Sequence, residues 1–151
     1  MDTFFDPDSL YALLTKIIRL LYIRTHKLFS EIGLSKGQPP ILFVLWQEDG
    51  CTQREIARRL KLRPATITVA LKRMERDELI YRRTDEKDLR MSRVFLTTKG
   101  MELKSEIQRI MKTLEEECFH GLTNEEKLML RRFFIQIKDN LLGKIDHQEW
   151  C

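Results

Sequence analysis

Pro64, Ala65, Thr66, Thr68, Val69, Lys72 and Arg73 lie close together in the chain and leave aside Ile67, Leu71 and Met74, whose spacing marks the buried stripe of a helix. Ala, Thr and Val are short enough to let such a helix sink toward base edges in a DNA major groove. Thymine methyls can pack on Ala65 or Val69, and the Thr hydroxyls can bond to bases or phosphates. Lys72 and Arg73 would hold phosphate or reach a guanine. Farther along, Lys87 and Arg90 occupy a polar stretch from which a cation can be laid in a minor groove, where negative potential is concentrated. Asp88, two residues from Arg90, is expected to hold that guanidinium in one geometry. A solvated helix face and an exposed acid in a turn are the plain readings of the same residues.

Charge placement favours the first reading. From Cys51 to Leu96 thirteen Lys and Arg stand against seven Asp and Glu, a surplus of six, although the whole chain carries only +4. The flanks are therefore slightly acidic, and the central block is the part suited to a polyanion.

The elements that must position these residues follow from apolar spacing. Leu10, Leu13, Leu14, Ile17, Ile18, Leu21 and Leu28 define a helix from Ser9 to Glu31, capped by Asp8 or Ser9. Leu20, Tyr22 and Ile23 broaden its apolar surface, as expected if a dimer buries a second side. Gly33 ends it, and a second helix runs from about Pro39 or Pro40 through Trp46. Thr52 and Glu55 form a capping box for a short helix with Ile56, Ala57 and Leu60 inward and Arg54, Arg58 and Arg59 outside. Pro64 opens the next helix, which reaches about Arg76. Two strand-like segments, Leu79 to Arg83 and Arg93 to Leu96, enclose a charged tip. Thr97 or Thr98 then caps a helix bearing Leu103, Ile107, Ile110, Leu114 and Cys118, about 30 Å long at the usual rise per residue. Gly121 breaks it, and Thr123 with Glu126 caps a last helix bearing Leu128, Leu130, Phe133, Phe134, Ile137 and Leu141. The fold class is mainly α with a small β-hairpin wing, a winged helix-turn-helix between terminal helices.

The run TQREIARRLKLRPATITVALKRMERDELIYRRTDEKDLRMSRVFLTTKG resembles the MarR family of regulators. Its most specific parts are Asp88-x-Arg90, the closing LTTKG from Leu96 to Gly100, and GLTNEEKLML ahead of the last helix. The preceding GLSKGQPPILFVL is similar too, so the resemblance covers nearly the whole chain. It implies a DNA-binding domain at 35–97 and a helical dimerisation region at 1–34 and 98–151. It also implies a homodimer that sets two winged motifs against a pseudopalindromic duplex and acts as a transcriptional regulator, a repressor, with no cofactor. Thr66, Thr68, Lys72 and Arg73 would enter the major groove and Arg90 the minor groove, with Gln53 and Arg54 on phosphate. Together with Arg63, Pro64, Ala65, Val69, Lys87 and Asp88 these make up the expected DNA-contacting set. Relatives of this kind bind small aromatic or anionic effectors; His26, Phe29, Phe43, Trp46 and Met111 would line such a cavity or simply belong to the core. One departure stands out: many relatives have Gly between recognition helix and wing where this chain has Glu78, a position that commonly takes positive φ.

Other function classes find little support. His26, His120 and His147 are scattered without metal-ligand spacing, and no GxSxG, Walker or GxGxxG pattern offers a catalytic foothold. Cys51, Cys118 and Cys151 form neither a CxxC pair nor a disulfide framework, which fits a reducing cytoplasm. Cys51 is expected to be packed, Cys118 to lie in the core, and Cys151 to be exposed and oxidisable. No signal peptide and no membrane-spanning apolar run is expected. The competing readings are a winged-helix adaptor that meets an acidic protein and a cysteine-based redox-sensing regulator.

Overall fold

The computed structural model describes residues 6–145. They fall into two units divided between Lys112 and Thr113. The first unit opens with α1 (Leu10–Glu31), whose cap is the Ser9 hydroxyl, accepting from the Ala12 N–H at 3.2 Å. Only Leu28 and Phe29 of α1 are buried within the chain. Leu13, Ile17, Ile18, Leu20, Leu21, Tyr22 and Ile23 stand exposed, so the broad apolar surface read from the sequence is open on a single copy.

Next comes α2 (Gln38–Gln47). Gln38 takes its first position ahead of the prolines: its wholly buried amide accepts from the Ser35 N–H and donates to Asp77, both at 2.9 Å. The two-residue β1 (Cys51–Thr52) leads into α3 (Gln53–Leu60), and α4 (Pro64–Arg76) follows a tight turn. Lys61 supplies that turn by taking a left-handed conformation, φ 50°. Ile41, Leu42, Leu45, Ile56, Ile67, Leu71 and Met74 are fully buried where α2, α3 and α4 meet. At roughly 1.5–3 kcal/mol for each such side chain, this cluster outweighs the exposed ion pairs around it and fixes how the two motif helices cross.

Antiparallel β2 (Ile80–Thr84) and β3 (Ser92–Leu96) build the wing, in the strand order β1-β3-β2. Cys51 lies opposite Val94, and Arg83 opposite Arg93. β1 was not anticipated, because two residues carry no alternation to read. At the entry to the wing Glu78 does adopt the left-handed conformation, φ 59°, that glycine would take without strain.

The division between the units falls within α5 (Thr98–Cys118). Thr97 is its cap, its hydroxyl accepting from the Gly100 N–H at 3.1 Å. Leu103, Ile107, Ile110 and Leu114 are buried as expected, but Cys118 is exposed. The placement of Cys118 in the core is therefore corrected: it is the final residue of α5, one turn past the last buried position, where the chain leaves the helix toward Gly121 at φ +83°.

In the second unit α6 (Asn124–Leu142) starts from the expected capping box, with the Thr123 N–H donating to Glu126 at 2.8 Å and the Glu126 N–H donating back at 3.2 Å. None of its residues is buried within the chain, and Leu128, Phe133, Phe134, Ile137 and Leu141 are exposed. His147 and Cys151 lie outside the described residues. Among the described residues no helix is long and apolar enough to cross a membrane.

Candidate nucleic-acid interface

The interface is built on the α3 N-terminus, where the Thr52 N–H donates to Glu55 at 2.7 Å and the Glu55 N–H donates to the Thr52 hydroxyl at 3.2 Å. The Thr52 backbone N–H, and then its hydroxyl, hold the Glu55 carboxyl below its ordinary range. Arg54 and Arg58 are exposed one turn apart. Arg59 is not left for phosphate in the free protein, since its guanidinium donates to the Glu48 carboxylate.

On α4 the structure exposes Pro64, Ala65, Thr66, Val69, Lys72 and Arg73, with Arg63 exposed just ahead as the N-cap residue. Thr68 departs from expectation. It is half-buried, its hydroxyl donating to the Pro64 carbonyl at 2.9 Å and accepting from the Gln53 side-chain amide. Gln53 is likewise engaged within the protein: its amide oxygen accepts from Arg82 at 3.3 Å, and Arg82 pairs with Glu75 at 3.2 Å. The Gln53 amide, expected on phosphate, thus also joins α3 to α4 and to β2. Arg82 and Glu75 were missed in the sequence. Their one-dimensional signal is no more than opposite charges on neighbouring elements.

The wing tip is organised by Asp85, a buried carboxylate that sequence reasoning also passed over. One oxygen accepts from the N–H groups of Lys87 and Asp88, at 2.7 and 2.9 Å, and the other accepts from the Arg93 guanidinium. Arg93 also donates to the Gly50 carbonyl at 2.9 Å, tying the tip to the turn before β1. The Arg93 guanidinium, followed by the two backbone N–H groups, lowers the Asp85 carboxyl to about 2. An Asp at a strand end with free N–H groups two and three residues on is the signal that would have revealed it. The cross-strand facing of Arg83 and Arg93 is a second, since like charges opposite one another call for an acid between them.

Lys87, Asp88, Leu89 and Arg90 stand exposed on that support. Asp88 does not hold the Arg90 guanidinium as expected. Its carboxylate accepts from the Arg90 backbone N–H at 3.0 Å, forming a local turn that fixes the chain and leaves the guanidinium to solvent.

The wing is anchored at its base by Thr97, whose hydroxyl donates to the Glu78 carbonyl at 2.6 Å and so pins the strained residue. Gly100 permits the close approach here: a Cβ at that position would lie 2.2 Å from the Leu79 carbonyl oxygen. Its own carbonyl accepts from the Trp46 indole N–H at 3.0 Å. Phe43, Trp46 and Met111 line a cavity of about 350 Å³ together with Lys104, Ile107 and Gln108, whereas His26 and Phe29 are not among its lining residues. Cys51 is buried, donates to the Glu48 carbonyl at 3.1 Å, and has its thiol pushed up chiefly by burial, the opposite of what a reactive thiolate needs.

A short helix, a tight turn, an exposed second helix and a braced antiparallel wing define a winged helix-turn-helix protein. Residues 34–92 match the profile of the MarR family. The chain is 35% identical over 151 residues to the HTH-type transcriptional regulator TtmR of Methylorubrum extorquens, covering 95% of this chain and 75% of that protein. Among solved structures, it resembles a MarR transcriptional regulator from Methanosarcina mazei with TM-score 0.65 and 29% identity, over 85% of this chain and 96% of that one. It also resembles a variant of Staphylococcus aureus MepR bound to an oligodeoxyribonucleotide, with TM-score 0.68 and 26% identity, over 89% and 99% of the two chains. The chain belongs to the MarR family of winged helix-turn-helix transcriptional regulators, which are DNA-binding proteins and not enzymes.

Proposed function

We propose that this chain binds double-stranded DNA as a homodimer on a pseudopalindromic operator and represses the genes it controls. α4 enters the major groove with Pro64, Ala65, Thr66, Thr68, Val69, Lys72 and Arg73, while Lys87, Asp88 and Arg90 bring the wing tip to the adjacent minor groove. Arg54 and Arg63 lie on phosphate, and Gln53 acts by positioning Thr68 and Arg82. The observation that carries this reading is the Gln53 amide itself, shared between Thr68 on α4 and Arg82 on β2. Two elements that must enter neighbouring grooves are thereby fixed to one another. The oligodeoxyribonucleotide bound to the MepR variant supports DNA as the ligand class.

Large apolar side chains stand exposed along both α1 and α6, and a second copy is the partner that covers them. The cavity beside Phe43 and Trp46, with its apolar lining and the Lys104 ammonium, suits a small aromatic anion whose binding would release the DNA. Burial of Cys51 argues against that cysteine as a sensor.

Selection from a random duplex pool tests the proposal. Enrichment of a two-fold symmetric site, bound less tightly as salt rises, is expected. Enrichment of no sequence would favour an adaptor that meets an acidic protein.

A further inference from the structure

Thr68, half-buried on α4, has its polar group occupied within the protein. A hydroxyl owns a single hydrogen, and here it goes to the Pro64 carbonyl 2.9 Å away. The Gln53 amide donates to the same oxygen from the other side. Thr68 therefore has no hydrogen left for guanine N7 or O6 or for thymine O4; with one of its two lone pairs also taken by Gln53, its γ-methyl and a single lone pair are what it has to offer.

The neighbours match. Ala65 lies three residues before Thr68 and four before Val69, so it borders both on the helix surface; Ala65 and Val69 are exposed and neither has a polar side-chain atom. The cations begin only at Lys72, one turn farther on. In the major groove the one methyl group that a base pair presents is the C5-methyl of thymine, whereas cytosine carries hydrogen at that position.

We propose that Thr68 is a specificity-determining residue that selects thymine through methyl-to-methyl contact, and that Gln53 is the positioning residue that turns its hydroxyl away from the DNA. This rests on the DNA-binding reading above and deepens it, replacing hydroxyl readout at this position with apolar readout.

The test uses the full-length protein and the duplex enriched from a random pool, with each thymine replaced in turn by deoxyuridine, which removes the C5-methyl alone. At one thymine per half-site the wild-type protein should bind about fourfold more weakly, and about fifteenfold when both half-sites are changed, the loss expected for exposing one methyl group at each. Thr68→Val keeps the methyl and should discriminate as the wild type does. Thr68→Ser keeps the hydroxyl and should lose the deoxyuridine penalty at that thymine while remaining folded by circular dichroism. Tolerance of deoxyuridine at every thymine overturns the inference even if binding stays tight and salt-sensitive, in which case the DNA-binding reading stands. So does a Thr68→Ser protein that still discriminates at every thymine. A pool from which no duplex is enriched overturns both.

Discussion

Asp85 and Arg93 meet as carboxylate and guanidinium beneath the wing tip, and the same carboxylate caps the N–H groups of Lys87 and Asp88. One buried acid therefore shapes the loop that presents Lys87 and Arg90. The Arg93 guanidinium holds the Asp85 carboxyl at about 2, below its usual value of 3.8. Because the folded value is the lower one, the stabilisation it gives is complete above the usual value and is lost as pH falls through about 2. Thermal melts of the wild type and Asp85→Asn should differ by a constant amount above pH 4 and converge between pH 4 and pH 2. A gap unchanged down to pH 2 would show that the carboxylate charge does not brace the wing.

Thr97 and Glu78 make a second pairing of strain and restraint. Glu78→Gly removes the steric cost of a left-handed residue, about 1–2 kcal/mol, but loosens the unfolded chain by about 0.4–1 kcal/mol. Urea unfolding should find this variant between neutral and about 1.6 kcal/mol more stable. Thr97→Val loses both the α5 cap and the bond to the Glu78 carbonyl, and should cost about 1–3 kcal/mol. Destabilisation by Glu78→Gly would contradict the assignment of strain to this position.

Gly100→Ala places a methyl where the Leu79 carbonyl oxygen sits 2.2 Å away, a backbone atom that no rotamer change can move. A loss of about 1–3 kcal/mol is expected, as for overpacking. DNA affinity should fall at temperatures where the variant remains folded, because the displaced Leu79 begins the wing. Wild-type stability in the urea midpoint would show that the two segments are less closely packed than described.

Cys51 should resist alkylation by iodoacetamide in the native protein and react once urea unfolds it, since burial both hides the thiol and keeps it protonated. Peroxide should leave duplex affinity the same in wild type and Cys51→Ser. Rapid native labelling of Cys51, traced by peptide mass, would reopen a redox role.

The helices were legible in the sequence because their signals are local. Ser9, Thr52 and Thr123 cap where the residue types say, and the stripe of Ile67, Leu71 and Met74 fixes which side of α4 faces out. The wing strands were found to within a residue or two. What escaped depends on residues brought together from far apart in the chain: Gln53 reaches Thr68 and Arg82, and Arg93 reaches Gly50. Strand pairing and helix crossing create those contacts, and no spacing in one dimension encodes them. Asp88 was given the wrong partner for a related reason, since an acid near an arginine in the chain satisfied the backbone N–H first.

The central claim, that α4 and the wing tip grip adjacent grooves of one duplex, is tested most directly by dimethyl sulfate footprinting of the selected site. The reagent reports guanine N7 in the major groove and adenine N3 in the minor groove. The wild type should protect guanine N7 within each half-site and adenine N3 beside it, and Arg90→Ala should lose the adenine N3 protection alone. Adenine N3 protection that persists in Arg90→Ala, or that never forms in the wild type, would contradict the account.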